Sequence, residues 1–386
     1  MKAILCSLGL MAVTGFVWLL AEERQEGGEQ TLLNVSYDPT RNLWRDLNEQ
    51  FQADYVKNTD KKLTIKVSHG GSSSQAGAVF SGLGADVVTL ALWSDVDVLR
   101  KHGLIKPGWE ERLPPANTPN IPAKWQRRSV AYYSTIVFVV RKDNPKQISD
   151  WDDLIKPGVQ VITPNPKTSG NGRLSFLAAW GAMLKMGKTK EQAREYVTKL
   201  YKNVPVLDSG ARDATTTFAQ NGIGDVHLAW ENEAHLEVSE FKGRLEIIYP
   251  SWSIQAEPPV AVVDANVDRK GTRAAAEAYL QFLYTEPAQR IVARHFYRPV
   301  DEKVMREVQS KTVFPAKPEL FPVTDLVDNW DEVQDVFFSA GGIFDSIYLP
   351  SGNASPAESD SSPFFIPILI ILLILMIVSF LFFVRR

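Results

Sequence analysis

Five turns in this chain share one chemical character. Asp38-Pro39, Ser72-Ser73, Ser169-Gly170-Asn171, Ser209-Gly210-Ala211 and Trp230 each follow a strand-like apolar run, and four of them open helix-like patterns. A helix start presents free backbone N–H groups and roughly half a positive charge, a combination that suits an anion. One such turn is ordinary α/β punctuation. Several in one chain, all rich in small residues, point toward an anion without identifying it.

Other chemistries find less support. Gly181 to Thr189 (GAMLKMGKT) resembles a phosphate-binding loop, but five residues separate its glycines and it ends a helical pattern instead of following a strand. His69-Gly70-Gly71 has the look of an esterase oxyanion loop, yet no G-x-S-x-G nucleophile turn accompanies it. The five histidines (His69, His102, His227, His235 and His295) lack metal-ligand spacing. His227 alternates with apolar residues and reads as structural. Glu231 and Glu233 follow Trp230 closely and suit the first turn of a helix. The carboxylates form no recognisable catalytic pair, so neither an enzyme nor a cofactor is expected.

The elements that must position these turns repeat one theme. TLLNVSY (31–37) is a strand pattern. Asp38 and Pro39 then suit a helix cap and first turn, and Leu43, Trp44, Leu47 and Phe51 keep helical spacing through Val56. LTIKVSHGGSSS repeats strand, Gly/Ser turn and helix, the helix expected from Gln75 to Ser81. ADVVTLAL, STIVFVV and VQVITP are further strand patterns, and Ala274 to Tyr284 reads as an amphipathic helix. Strand–turn–helix units in series argue for an α/β class with parallel strands. Lys106 to Arg128 is rich in proline and reads as a surface loop.

At 386 residues the chain has room for two ordinary domains plus extra segments. Apolar residues make up 45% and charged residues 23%, as in a folded globular protein. A net charge of −3 without a basic stripe gives no footing for nucleic acid. The single cysteine, Cys6, lies in the first apolar stretch and leaves the remainder without a thiol.

Both ends are hydrophobic. Residues 1–21 read as a signal peptide or an N-terminal anchor. Residues 364–384 are uncharged and apolar on every side; as a helix they would span roughly 31 Å, about a bilayer core. Arg385-Arg386 and Lys2 both favour the cytoplasm, which places the region between outside the cytoplasmic membrane. Residues 351–363 (SGNASPAESDSSP) read as a flexible spacer.

From about Leu32 to about Ser346 the chain closely resembles the periplasmic sulfate-binding proteins, with the thiosulfate-binding branch as sister group. The matching stretches are LLNVSYDPTR, SHGGS, ADVVTLAL, STIVFVVRKDNPKQISDWDDLIKPGVQVITPNPKTSGNGR, VLDSGARDATTTF, GIGDVHLAWENEA, AEPPVAVVD and FYRPVD. The resemblance implies a monomeric, two-lobed type II binding-protein fold with a two-strand hinge, lobe one being 31–132 plus 258–346 and lobe two 133–257. It implies a buried sulfate, or thiosulfate, held by the main chain at Asp38, Ser72, Gly170, Asn171 and Ala211, by the Ser169 hydroxyl and by the Trp230 indole. It also implies an ABC permease and ATPase as partners. The family usually has Gly-Gly after the serine; here Asn171 replaces the second glycine, and its side chain either crowds the ligand or adds a donor. The C-terminal apolar run is atypical and suggests a membrane tether. A membrane-anchored oxyanion sensor is the alternative to a transport receptor.

Overall fold

The computed structural model describes residues 30–309, 314–315 and 317–348. Two separate sheets organise them. In the first, β1 (Gln30–Tyr37) lies between β2 (Leu63–Gly70) and β3 (Val87–Thr89), parallel to both. Val260–Val262 joins β3 antiparallel at the far edge. Both faces are covered. Helix α1 (Arg41–Thr59) and later helices bury Leu32, Leu43, Trp44 and Leu47 on one side. On the other, α2 (Ser72–Phe80) and α3 (Trp93–Lys101) bury Val35, Ala76, Val79 and Val96. A sheet covered on both faces explains why its strands read as near-continuous apolar runs.

The second sheet contains β4 (Ile136–Arg141), β5 (Val161–Pro164), β6 (Leu207–Asp208), β7 (Val226–Trp230) and β8 (Leu245–Ile248) in the order β6-β5-β7-β4-β8. Strand β5 runs parallel to β6 and β7, whereas β4 is antiparallel to β7 and β8. Helices α4 (Gly170–Lys185) and α5 (Lys190–Lys202) cover one face, and α6 (Ala211–Thr215) and α7 (Glu231–Glu240) the other. Two of the crossings between the sheets lie side by side. Val130 and Ser134 bridge antiparallel to Pro259 and Ala256, and Tyr132–Tyr133 pairs with Arg298–Pro299.

Two expectations need correction. The stretch 319–346 does not join the first sheet. Glu319–Phe321 pairs with Trp252–Ile254. Beyond it Phe337, Phe338 and Phe344 pack around Phe176, Trp180 and Tyr201 in the core of the second sheet. Asp38 is not a side-chain helix cap, because its carboxylate pairs with Arg41 at 2.8 Å and Asp38–Thr40 forms a short 3-10 turn before α1. The proline-rich stretch 106–128 is the expected surface loop, mostly exposed and pinned by the buried Trp109 and Trp125. Among the described residues no helix is long and apolar enough to cross a membrane. The expected leader or anchor (1–21), spacer (351–363) and span (364–384) lie outside the described residues.

Candidate anion-binding site

The five turns meet. Asp38, Ser72, Ser169, Gly170, Asn171, Ala211 and Trp230 all line one small cavity of about 20 Å³, together with Tyr37, Gly70, Gly71, Ala91 and Gly210. Asp38 and Ser72 stand at the C-terminal edge of the first sheet, after β1 and β2. Ser169 to Asn171 and Ala211 follow β5 and β6 of the second, and Trp230 is the last residue of β7. This is the edge where α/β sheets place their ligands.

Local structure leaves backbone donors free of helical bonds beside the cavity. In α2 the first helical bond runs from the Gln75 N–H to Gly71 O at 2.9 Å. In α4 it runs from the Arg173 N–H to Ser169 O at 3.0 Å, and in α6 from the Ala214 N–H to Gly210 O at 3.1 Å. The N–H groups of Ser72, Gly170, Asn171 and Ala211 therefore precede the hydrogen-bonded ladders. Ser169 accepts a 3.4 Å bond from the Gly172 N–H as the cap of α4. A hydroxyl accepts and donates at once, so its proton stays available. The Trp230 indole is buried, its ring 5.6 Å from that of Tyr37, which also lines the cavity.

Ser72 differs from Ser169. Its hydroxyl donates to Asp95 at 2.5 Å and accepts from the Ala91 N–H at 2.9 Å, so the residue can offer the cavity only its main chain. Ser73 also donates to Asp95, at 2.9 Å, and Arg173 lies 3.6 Å from the same carboxylate. Burial raises the Asp95 pKa, against the opposing pull of Arg173 and the two hydroxyls. Asp95 and Arg173 thus link the α2/α3 corner of the first sheet to the start of α4 on the second, one layer behind the donors. Sequence reasoning missed this pair. Both are ordinary charged residues in helix first turns, and nothing in their spacing signals a contact.

The Asn171 carboxamide oxygen is engaged within α4: Ser175 Oγ donates to Asn171 Oδ1 at 3.3 Å. Gly170 makes a close approach between the two sheets. A Cβ added there would lie 2.9 Å from Ala91 Cβ, so only glycine lets α4 close on the first sheet's loop. Among the described residues no lysine or arginine lines the cavity. A larger hollow of about 390 Å³ opens on its flank, sharing Asp38 and Pro39 and lined also by Arg41, Arg212, Glu233 and Glu237. There burial, reinforced by the charges of Glu237 and Asp38, pushes the Glu233 carboxyl up to about 8. His227 reads as expected: buried, with Nδ1 2.8 Å from Glu237 and away from the cavity.

A cleft between two α/β sheets, joined by paired crossings and lined by strand-end donors, is the architecture of a solute-binding protein. Residues 32–298 match the model of the bacterial extracellular solute-binding protein family. The chain belongs to that family, within the group that contains the sulfate- and thiosulfate-binding proteins. It is 48% identical over 335 residues to the sulfate-binding protein of Escherichia coli, covering 86% of this chain and 97% of that protein. It is 47% identical over 324 residues to the thiosulfate-binding protein of Pseudomonas aeruginosa, covering 83% and 93%. Among solved structures, the sulfate-binding protein SubI from Mycobacterium tuberculosis superposes with a TM-score of 0.70 at 29% identity, covering 80% of this chain and all of that one. A ferric binding protein from Campylobacter jejuni, 15% identical, shares the fold at a TM-score of 0.56.

Proposed function

We propose that this chain is an extracytoplasmic receptor that encloses one sulfate ion and delivers it to an ABC permease and its ATPase. The observation that carries the proposal is the convergence of Asp38, Ser72, Ser169, Gly170, Asn171, Ala211 and Trp230 on one cavity. Sulfate carries no proton at neutral pH and can only accept hydrogen bonds. Backbone N–H groups, a serine hydroxyl and an indole can all donate. Charge-assisted bonds of this kind are the stronger class, and helix starts supply further positive potential without a contacting cation. Phosphate near neutral pH retains a proton that such a lining leaves unpaired. The Asp38 carboxylate is engaged by Arg41, and that of Asp95 by Ser72 and Ser73.

Thiosulfate is the second ligand the site suits, since it also accepts without donating and a 47% identical relative carries that name. In the proposed layout the first lobe spans 31–132 and resumes at 258, the second spans 133–257, and the crossings at 130–134 and 256–260 act as hinge. The stretch 319–348 moves with the second lobe. The apolar run 364–384 is proposed to tether the receptor to the membrane's outer face. Equilibrium dialysis of the purified protein against radiolabelled sulfate, with unlabelled thiosulfate as competitor, tests the proposal. One sulfate retained per chain, displaced by thiosulfate, supports it; no retention at micromolar sulfate refutes it.

A further inference from the structure

Beside the cavity, but outside its lining, lies a buried ion pair that anion recognition does not itself require. Arg298 Nε and Nη2 meet Glu231 Oε2 and Oε1 at 2.6 and 2.8 Å, fork to fork. Arg298 is 5% exposed and Glu231 0%. A buried pair of this kind costs heavy desolvation and is weak as a source of stability, so its location asks for another reason. Glu231 is the residue after Trp230. It opens α7, and its N–H donates to Thr135 O at 2.9 Å, so it sits at the corner where β7 turns into helix. Arg298 comes from the first lobe's side of the crossings, in the short strand that pairs with Tyr132–Tyr133.

The neighbours of Arg298 alternate between the two sides. His295 Nε2 lies 2.8 Å from Asp46 of α1. Phe296, held at a φ of 58°, stacks on His235 of α7 with centroids 4.4 Å apart. Tyr297 packs edge-on against Tyr132 at 4.8 Å. Arg298 then reaches Glu231, with the Phe314 ring 5.2 Å from its guanidinium. A bidentate guanidinium–carboxylate pair fixes orientation as well as distance, which a point charge does not.

We infer that Arg298 is a positioning residue for anion recognition: through Glu231 it fixes the β7–α7 corner from across the lobe junction, and so aims the Trp230 indole N–H into the cavity. This rests on the receptor reading above. Arg298 touches no ligand; its effect reaches the anion through one donor.

The test uses the full chain and a double-mutant cycle. Arg298→Lys keeps the charge and loses the fork; Glu231→Gln keeps the shape and loses the charge. Each is titrated with sulfate calorimetrically in the wild-type and in the Trp230→Phe background, with ligand-free thermal unfolding to establish a folded reference. Each substitution should weaken sulfate binding about tenfold with Trp230 present, and less than about twofold once the indole N–H is gone. In isotope-labelled wild type, the Trp230 indole proton should shift on adding sulfate, and Glu231→Gln should abolish that shift. Equal losses in both backgrounds, or no loss with Trp230 present, overturn the positioning role and leave the receptor reading standing. If either variant fails to fold, the other decides. Wild-type protein that binds no sulfate overturns the receptor reading and this inference together.

Discussion

Gly170→Ala separates closure from folding. The added Cβ would lie 2.9 Å from Ala91 Cβ and 3.6 Å from both Leu92 Cγ and Ser72 Cβ. Carbon atoms rest about 3.5–4.0 Å apart, so the overlap with Ala91 is about 0.6–1 Å. Ala91 is a methyl fixed to the main chain, and its N–H donates to Ser72 Oγ, so it cannot swing aside without disturbing the Asp95 cluster. The lobes must instead stay apart by a comparable distance. That lengthens the bonds from Asp38 and Ser72 to an anion seated on α4 beyond useful range. Two charge-assisted bonds lost, at about 1.5–3 kcal/mol each, weaken binding by roughly two to four orders of magnitude. Within its own lobe the new methyl meets little, so ligand-free unfolding should hardly change. Ala91→Gly in the same chain should restore most of the affinity. Gly172→Ala is the contrast: its Cβ would fall 2.5 Å from Pro164 O of the adjoining strand, and it should lower stability whether or not ligand is present. Calorimetric titration paired with scanning calorimetry reads both quantities. Gly170→Ala binding sulfate within about threefold of wild type would refute the closed-cleft geometry.

Three further outcomes are expected. Trp230→Phe removes one donor and keeps most of the ring, so sulfate affinity should fall by about one to two orders of magnitude, while Asn171→Gly should cost little because Asn171 Oδ1 is already turned to Ser175; isothermal titration of both variants checks this. Glu233 binds its proton more tightly in the folded form than in the unfolded chain, so its favourable contribution to stability is full below its usual value of 4.5 and is lost as pH rises to about 8. Folding stability should therefore decline between pH 6 and pH 9, and Glu233→Gln should flatten that profile; wild-type thermal unfolding already flat over this range would contradict it. The full chain should fractionate with membranes and resist carbonate extraction, whereas a chain ending near Ser351 should be soluble; soluble full-length protein in the extracytoplasmic fraction would sink the tether.

Much of the site's outline was legible because strand-end turns announce themselves. Runs such as LLNVSY and VQVITP stop at Asp-Pro or Ser-Gly-Asn, and small residues at a strand-to-helix turn leave backbone N–H groups uncovered. The resemblance placed those turns in one cleft, and the structure brings all seven named residues to one cavity. What the sequence hides is contact between charged residues of different elements. Asp95 with Arg173, and Glu231 with Arg298, are each distant in sequence, and nothing local marks them as partners. The tail was misplaced for a related reason. Phe337, Phe338 and Phe344 declare that the segment must bury an apolar face, but not which core will accept it; aromatic packing on Phe176 and Trp180 decides that. Asp38-Pro39 looked like a cap because a cap and a short 3-10 turn share the same residues, and Arg41 took the carboxylate instead.

Discrimination between two tetrahedral anions of similar size tests the central claim most directly. Sulfate and phosphate titrated into the wild-type protein at pH 7 differ in the proton that phosphate retains. A lining of donors, with its neighbouring carboxylates already engaged, should bind one sulfate per chain and reject phosphate by a factor on the order of 10⁴ or more. Phosphate bound as tightly as sulfate would contradict the donor-only site.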